Sequence, residues 1–230
     1  MLRVLCWNVE NLFLPQSEDP TSVDGPTTTA AFEAKLSSLA AVIDHARPDV
    51  AALQEVGPNV IDRLQDALGH KMDHSELGEG DDRGIRVALL STRPLLNADR
   101  IHPFPPGVRA VQAKDEGFDD PQTVIDEAAT AAMGRSGLQA TITLGGDDVV
   151  VVTAHFKSKL INYARKQGVV DGSKFAPNDE GERLRYAGYA LFRRTGEAMT
   201  IRNRLDALLT DNADPSQGLG RTRAVVFVET

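Results

Sequence analysis

Short apolar runs rich in β-branched residues alternate along the chain with longer stretches in which apolar residues recur every three or four positions. That alternation is the pattern of mixed α/β architecture. The short runs predict strands over 2–7, 49–53, 85–91, 138–144, 149–154 and 223–228. Phe32, Leu36, Leu39 and Ile43 share one helical face within 31–46, and Pro48 stops that helix. A short helix is expected over 59–68, ending at Gly69. A long one is expected over 179–209, where Leu184, Ala187, Leu191, Ala198, Ile201, Leu205 and Leu208 keep a single stripe. Two β-rich runs flank Gly145-Gly146-Asp147-Asp148, which reads as a hairpin whose second strand ends at Ala154 and His155. Segments 14–30, 73–84 and 97–137 lack a sustained strand period and read as loops, with a short helix allowed at 121–133.

Length and composition narrow the class. With 230 residues the chain fits one domain, read as 1–230, and 41% apolar with 25% charged residues is an ordinary globular balance. No run approaches the roughly 18 apolar residues of a membrane span. The start, Met1-Leu2-Arg3-Val4-Leu5-Cys6-Trp7-Asn8, enters a strand directly, without the pattern of a secretory leader. A single cysteine excludes an internal disulfide and a cysteine-rich zinc site, so a cytoplasmic location is expected, with Cys6 as a small buried apolar residue. The net charge of −8 has the wrong sign for a protein that coats nucleic acid through its whole surface. The sum hides an asymmetry: between Val151 and Leu205 eleven Lys/Arg stand against five Asp/Glu, a net of +6, which leaves −14 for the rest. An anionic substrate would have a preferred face there, and a merely solvated basic helix explains the same count.

Polar residues stand where the apolar runs stop. Asn8 closes the first strand, Gln54 and Glu55 the second, and His155 the hairpin. In layered α/β proteins such strand exits gather sites, because the sheet fixes the residues while solvent still reaches them. Carboxamide, carboxylate and imidazole at these exits suit a divalent metal and a phosphate, since Mg²⁺ needs only one or two carboxylates plus waters and substrate oxygens. Each residue alone also has an ordinary reading: a turn-forming Asn, an exposed Glu before Gly57-Pro58, a satisfied core His.

The combination is more specific. Leu5-Cys6-Trp7-Asn8-Val9-Glu10-Asn11-Leu12-Phe13, followed by Arg47-Pro48-Asp49-Val50-Ala51-Ala52-Leu53-Gln54-Glu55-Val56, resembles the opening of the endonuclease/exonuclease/phosphatase superfamily, the deoxyribonuclease I-like hydrolases. Arg83-Gly84-Ile85-Arg86-Val87-Ala88-Leu89-Leu90-Ser91, Val151-Val152-Thr153-Ala154-His155-Phe156-Lys157-Ser158-Lys159 and Glu180-Gly181-Glu182-Arg183 resemble later segments in the same order. The resemblance implies a four-layer sandwich of two packed mixed β-sheets flanked by helices, and a metal-dependent phosphodiester or phosphomonoester hydrolase, nuclease-like in ancestry. It implies Mg²⁺ or Mn²⁺ bound by Glu55, with Asn8 orienting metal and scissile phosphate, and His155 near that phosphate as a proton donor to the leaving oxygen. Lys157 and Arg183 would carry phosphate charge, and Trp7 is expected in the core. The implied partner is an anionic phosphoester, nucleic acid among the candidates.

The sequence also departs from the family pattern. Members carry Gly-Asp-x-Asn after the long helix, then Ser-Asp-His or Ile-Asp-His; here the corresponding strand runs into Glu229-Thr230. The expectation is a fold incomplete at its C-terminus, with an unpaired strand edge and an apolar patch. Glu229 stands one position out of register with the missing Asp, so it should face away from Asn8 and Glu55. Three readings stay open at this stage: a working hydrolase, a phosphate- or nucleotide-binding remnant without turnover, and a half-enzyme completed by a second copy or a partner chain.

Overall fold

The computed structural model describes residues 1–20, 22, 24–81, 83–108, 131–156, 170–211 and 222–229. In chain order its elements are β1 (Val4–Leu12), α1 (Thr29–Ala46), β2 (Val50–Val56), α2 (Ile61–Ala67), β3 (His74–Leu77), β4 (Arg86–Ser91), β5 (Leu96–Pro103), β6 (Ala132–Leu144), β7 (Asp147–Ala154), α3 (Glu180–Asp211) and β8 (Thr222–Glu229). They form two four-stranded sheets, ordered β1-β2-β4-β3 and β5-β6-β7-β8. Each sheet is mixed: β1 and β2 run parallel while β4 opposes β2, and β7 opposes β6 while β8 runs parallel to β7. A parallel pair needs a crossover, and α1 supplies the one between β1 and β2.

Alternation along β2 explains why it reads as a continuous apolar run. Ala51 and Leu53 face α1 and α2, while Val50 and Ala52 face β6 and β7 of the second sheet. A strand buried on both faces has no polar side to show. On α1, Phe32, Leu36, Leu39, Ala40 and Ile43 are buried, Thr28 caps the start by accepting from the Ala31 N–H, and Arg47 ends it in the left-handed conformation. The β6–β7 turn is Gly145-Gly146, with φ of +59° and +91°, as a tight two-residue hairpin requires.

The chain divides into two compact units. One comprises Met1–Ile101, Arg135–His155 and Leu205–Thr230; the other comprises His102–Gly134 and Phe156–Arg204. In the first, α1 and α2 cover the outer face of the first sheet, and its inner face packs on the second sheet, including Val226 and Val228 of β8. This is an α/β sandwich of two packed mixed sheets. In the second, the Glu182 carboxylate on α3 accepts from the backbone N–H groups of Asp171, Gly172 and Asn178, while the Tyr186 hydroxyl donates to the Gly172 carbonyl.

Several expectations need correction. The apolar stripe expected on the long helix is its buried face only in part: Leu184 and Leu191 are 73% and 62% exposed and Ile201 is buried, while Glu182, Tyr186, Ala190, Glu197 and Thr200, which lie off the stripe, are buried. Polar residues can be buried there because their side chains find partners, Glu197 accepting from the Gly134 N–H and Arg193 Nε. Segment 73–84 contains β3, and 97–137 contains β5 and the start of β6. Of the helix allowed at 121–133, residues 121–130 lie outside the described residues, and Ala132 and Met133 are strand. Cys6 is half-buried and close to the Gln54 carboxamide, 3.6 Å from its Nε2. Among the described residues no helix is long and apolar enough to cross a membrane.

Candidate active site at the strand ends

Because β1 and β2 run parallel, their carboxyl ends meet at one edge, with Asn8 in register with Gln54. Gln54 is fully buried, and its Nε2 donates to Thr153 Oγ1 at 3.2 Å, tying the end of β2 to the end of β7. Beyond these pairs the ladders slip, between Asn8 and Leu12 on one side and between Leu53 and Val56 on the other. The bulged residues Glu10, Asn11 and Glu55 all take left-handed backbone, with φ of +53°, +56° and +61°. Each such non-glycine residue costs about 1 kcal/mol or more, and a bulge of this kind re-aims a side chain that regular pleating would send elsewhere.

The re-aimed side chain is Glu55. Its Oε1 accepts from Asn8 Nδ2 at 3.0 Å and lies 3.2 Å from His155 Nε2, and its Oε2 accepts from the Asn11 N–H at 3.2 Å. Asn8 is held from its other side, Oδ1 accepting from the Glu10 N–H at 2.9 Å. The hydrogen bond from His155, then that from Asn8, outweighs burial and holds the Glu55 carboxyl at about 2. Glu55 is therefore an anion throughout the physiological range.

Two cations that the sequence did not single out stand near Glu55. Lys35 of α1 donates from Nζ to the carbonyls of Glu10 and Asn11. Burial draws its pKa down, against the opposing pull of Glu10 and Glu55. Arg135 of β6 is buried, with Nε 3.1 Å from Asp81 Oδ2, and its charge also favours ionised Glu55.

Thus Asn8, Glu55 and His155, far apart in sequence, are brought together. Trp7 packs partly buried against the first core, as expected. Arg183 belongs to the second unit, in the first turn of α3, where its side chain is 66% exposed and pairs with Glu180 at 3.2 Å. Lys157 lies outside the described residues. Glu229 pairs in register with Ala154, the neighbour of His155.

Glu55 retains acceptor capacity for a hard cation. Among the described residues three donors reach Glu55, and a carboxylate offers about four lone-pair positions, so one on Oε2 remains. Among the described residues no group of three or more His, Cys, Asp or Glu could hold an ion by itself. A carboxylate with an open oxygen fits a hard divalent cation that keeps waters and takes substrate oxygens as its other ligands.

Packed mixed sheets with an ionised carboxylate, a carboxamide and an imidazole at their strand ends define an α/β sandwich with a candidate site at one edge. Residues 5–147 match the Endonuclease/Exonuclease/phosphatase family, and the chain belongs to that family, whose chemistry is phosphoester hydrolysis. Among solved structures it is similar to sphingomyelinase C from Streptomyces griseocarneus, at 16% identity and a TM-score of 0.50 over 99% of this chain and 63% of that one. It is also similar to TDP2 from Caenorhabditis elegans (17% identity, TM-score 0.39, 72% of this chain and 38% of that one). A third is D. rerio TDP2 complexed with single strand DNA product (19%, TM-score 0.40, 73% and 51%). The chain thus spans between 38% and 63% of the length of these structures. No curated protein matches it.

Proposed function

We propose that the chain acts as a single metal-dependent phosphodiesterase-type domain, nuclease-like, with its centre at Glu55. The observation that carries this reading is the convergence of Asn8, Asn11 and His155 on one ionised carboxylate that, among the described residues, keeps one lone pair open. Mg²⁺ or Mn²⁺ bound there would neutralise phosphoryl oxygen charge and lower the pKa of a bound water. Glu55 supplies the anionic ligand. Asn8, fixed at both ends of its carboxamide, orients that ligand and presents a dipole to the scissile phosphate. His155 hands a proton to the leaving oxygen, a role within reach because its Nε2 already points at the carboxylate that binds the cation. Preplaced donors of this kind act on charge that develops in the transition state. Lys157 and Arg183 are proposed phosphate ligands on the family resemblance. The net +6 of 151–205 supports a nucleic-acid substrate, and a lone cysteine, which cannot form an internal disulfide, supports a cytoplasmic setting.

The test is hydrolysis of bis-p-nitrophenyl phosphate and of a single-stranded oligonucleotide by purified protein with Mg²⁺ or Mn²⁺. Chelator should abolish it, and Glu55→Gln should lower kcat/KM by about two orders of magnitude. Unchanged activity in Glu55→Gln refutes the mechanism. Mn²⁺ binding without turnover would retain the site and remove the hydrolase.

A further inference from the structure

Lys35 sits three residues after Phe32, at the edge of the buried stripe of α1, and is half-buried. Its Nζ donates to the Glu10 carbonyl and, at 3.3 Å, to the Asn11 carbonyl. The Glu10 carbonyl and the Asn11 N–H are two sides of one peptide group. The first receives the ammonium, and the second donates to Glu55 Oε2 at 3.2 Å. That peptide dipole is therefore held between a cation and an anion, an arrangement in which each bond polarises and strengthens the other. It joins two residues in left-handed backbone, φ +53° and +56°, which non-glycine residues keep only where the surroundings over-determine them.

We propose that Lys35 is a positioning residue of the Glu55 site: by fixing the Glu10–Asn11 peptide it keeps the Asn11 N–H on Oε2 and so determines which carboxylate lone pair stays open to a cation. This rests on the reading of Glu55 as the cation ligand. The role is not general scaffolding, because the groups Lys35 touches are the carbonyls beside the two N–H donors that orient Asn8 and Glu55.

The experiment is amide hydrogen exchange of the metal-free protein, with Mn²⁺ binding by calorimetry, on wild type, Lys35→Met, Lys35→Gln and Lys35→Arg. Loss of a charge-assisted bond should speed Asn11 exchange about tenfold in Lys35→Met and Lys35→Gln, leave the Leu53 amide of β2 unchanged, and weaken Mn²⁺ binding about tenfold. Lys35→Arg, which keeps a cation, should restore much of both. Unchanged Asn11 exchange overturns the proposal, as does equal acceleration at Asn11 and Leu53, and as does faster Asn11 exchange with unaltered Mn²⁺ affinity. Mn²⁺ affinity that survives Glu55→Gln refutes the cation-site reading and with it the metal half of the proposal. Asn11 exchange still decides whether Lys35 fixes the peptide. Should Lys35→Met not fold, Lys35→Gln carries the same readings.

Discussion

At the scale of single residues, the state of Glu55 makes a pH prediction. His155 first, and Asn8 second, hold its carboxyl at about 2, against 4.5 ordinarily. A carboxyl whose folded pKa is depressed contributes stability that is fully present above the unfolded value and is lost as pH falls through the folded one. Metal-free wild type should therefore show a stability advantage over Glu55→Gln that is flat above 4.5 and shrinks between 4.5 and about 2. Urea unfolding of both proteins across that window measures the difference. Other depressed carboxyls, at Asp44 and Glu182, are common to both and cancel. A difference that stays constant down to pH 2 would mean that the bonds to Glu55 are not made in solution. Asn8, Glu55 and His155 were legible in the sequence because each is a polar residue placed where an apolar run stops. Lys35 and Arg135 were not. Lys35 meets carbonyls 24 and 25 positions away, a contact that exists only once α1 docks beside β1. Arg135 finds Asp81 54 positions away, from within a stretch that shows no strand period.

At the scale of elements, the site depends on how closely the ends of β1 and β2 approach each other. Gly57 follows the bulge at Glu55, and its N–H donates to the Leu12 carbonyl at 2.7 Å. A Cβ on Gly57 would stand 2.5 Å from Phe13 Cδ1 and 3.0 Å from the Leu12 carbonyl oxygen. Phe13 is buried and cannot swing aside without opening the core. Gly57→Ala is therefore expected to destabilise by about 1–3 kcal/mol, as overpacking does. Because the displaced segment carries the Asn11 N–H, Mn²⁺ binding should weaken as well. Chemical denaturation and calorimetry on the one variant check both effects, and a neutral substitution would show that the strand ends stand further apart. The same geometry explains which strands the sequence revealed. Val50–Leu53 of β2 and Val87–Leu90 of β4 are buried throughout and appear as unbroken apolar runs. β3 has four half-buried residues, and β5 has Ile101 as its buried side chain, so neither displays alternation. Both lie at the edge of their sheets and are strands through backbone pairing more than through side-chain burial. On α3 the difference has another source: its buried face mixes Tyr186, Ala190 and Ile201 with the satisfied polar groups of Glu182, Glu197 and Thr200, and a hydrophobic period cannot detect the polar members.

At the scale of the whole molecule, charge bears on the substrate. The chain carries −8 in total, as +6 over 151–205 and −14 elsewhere. An acidic excess of −14 outside 151–205 opposes the approach of a polyanion, so the number of backbone phosphates neutralised at once is expected to be small. Affinity for a single strand falls with salt at a slope of about −0.7 per neutralised phosphate. Two contacts would then cost less than about tenfold between 50 and 200 mM salt, whereas six to ten would cost about 300- to about 10⁴-fold. Fluorescence anisotropy with a labelled oligothymidine, in chelator to prevent cleavage, reads that slope directly. A shallow slope fits a hydrolase that grips the phosphoester at the Glu55 centre and few of its neighbours, so that short and long substrates are cleaved with similar kcat/KM. A steep slope would require the basic side chains of 151–205 to converge on a continuous track, and long nucleic acid would then be preferred over any small phosphoester. Because chelator removes the cation from the comparison, the slope reports the charges of the chain alone, independently of whether Glu55 binds a metal.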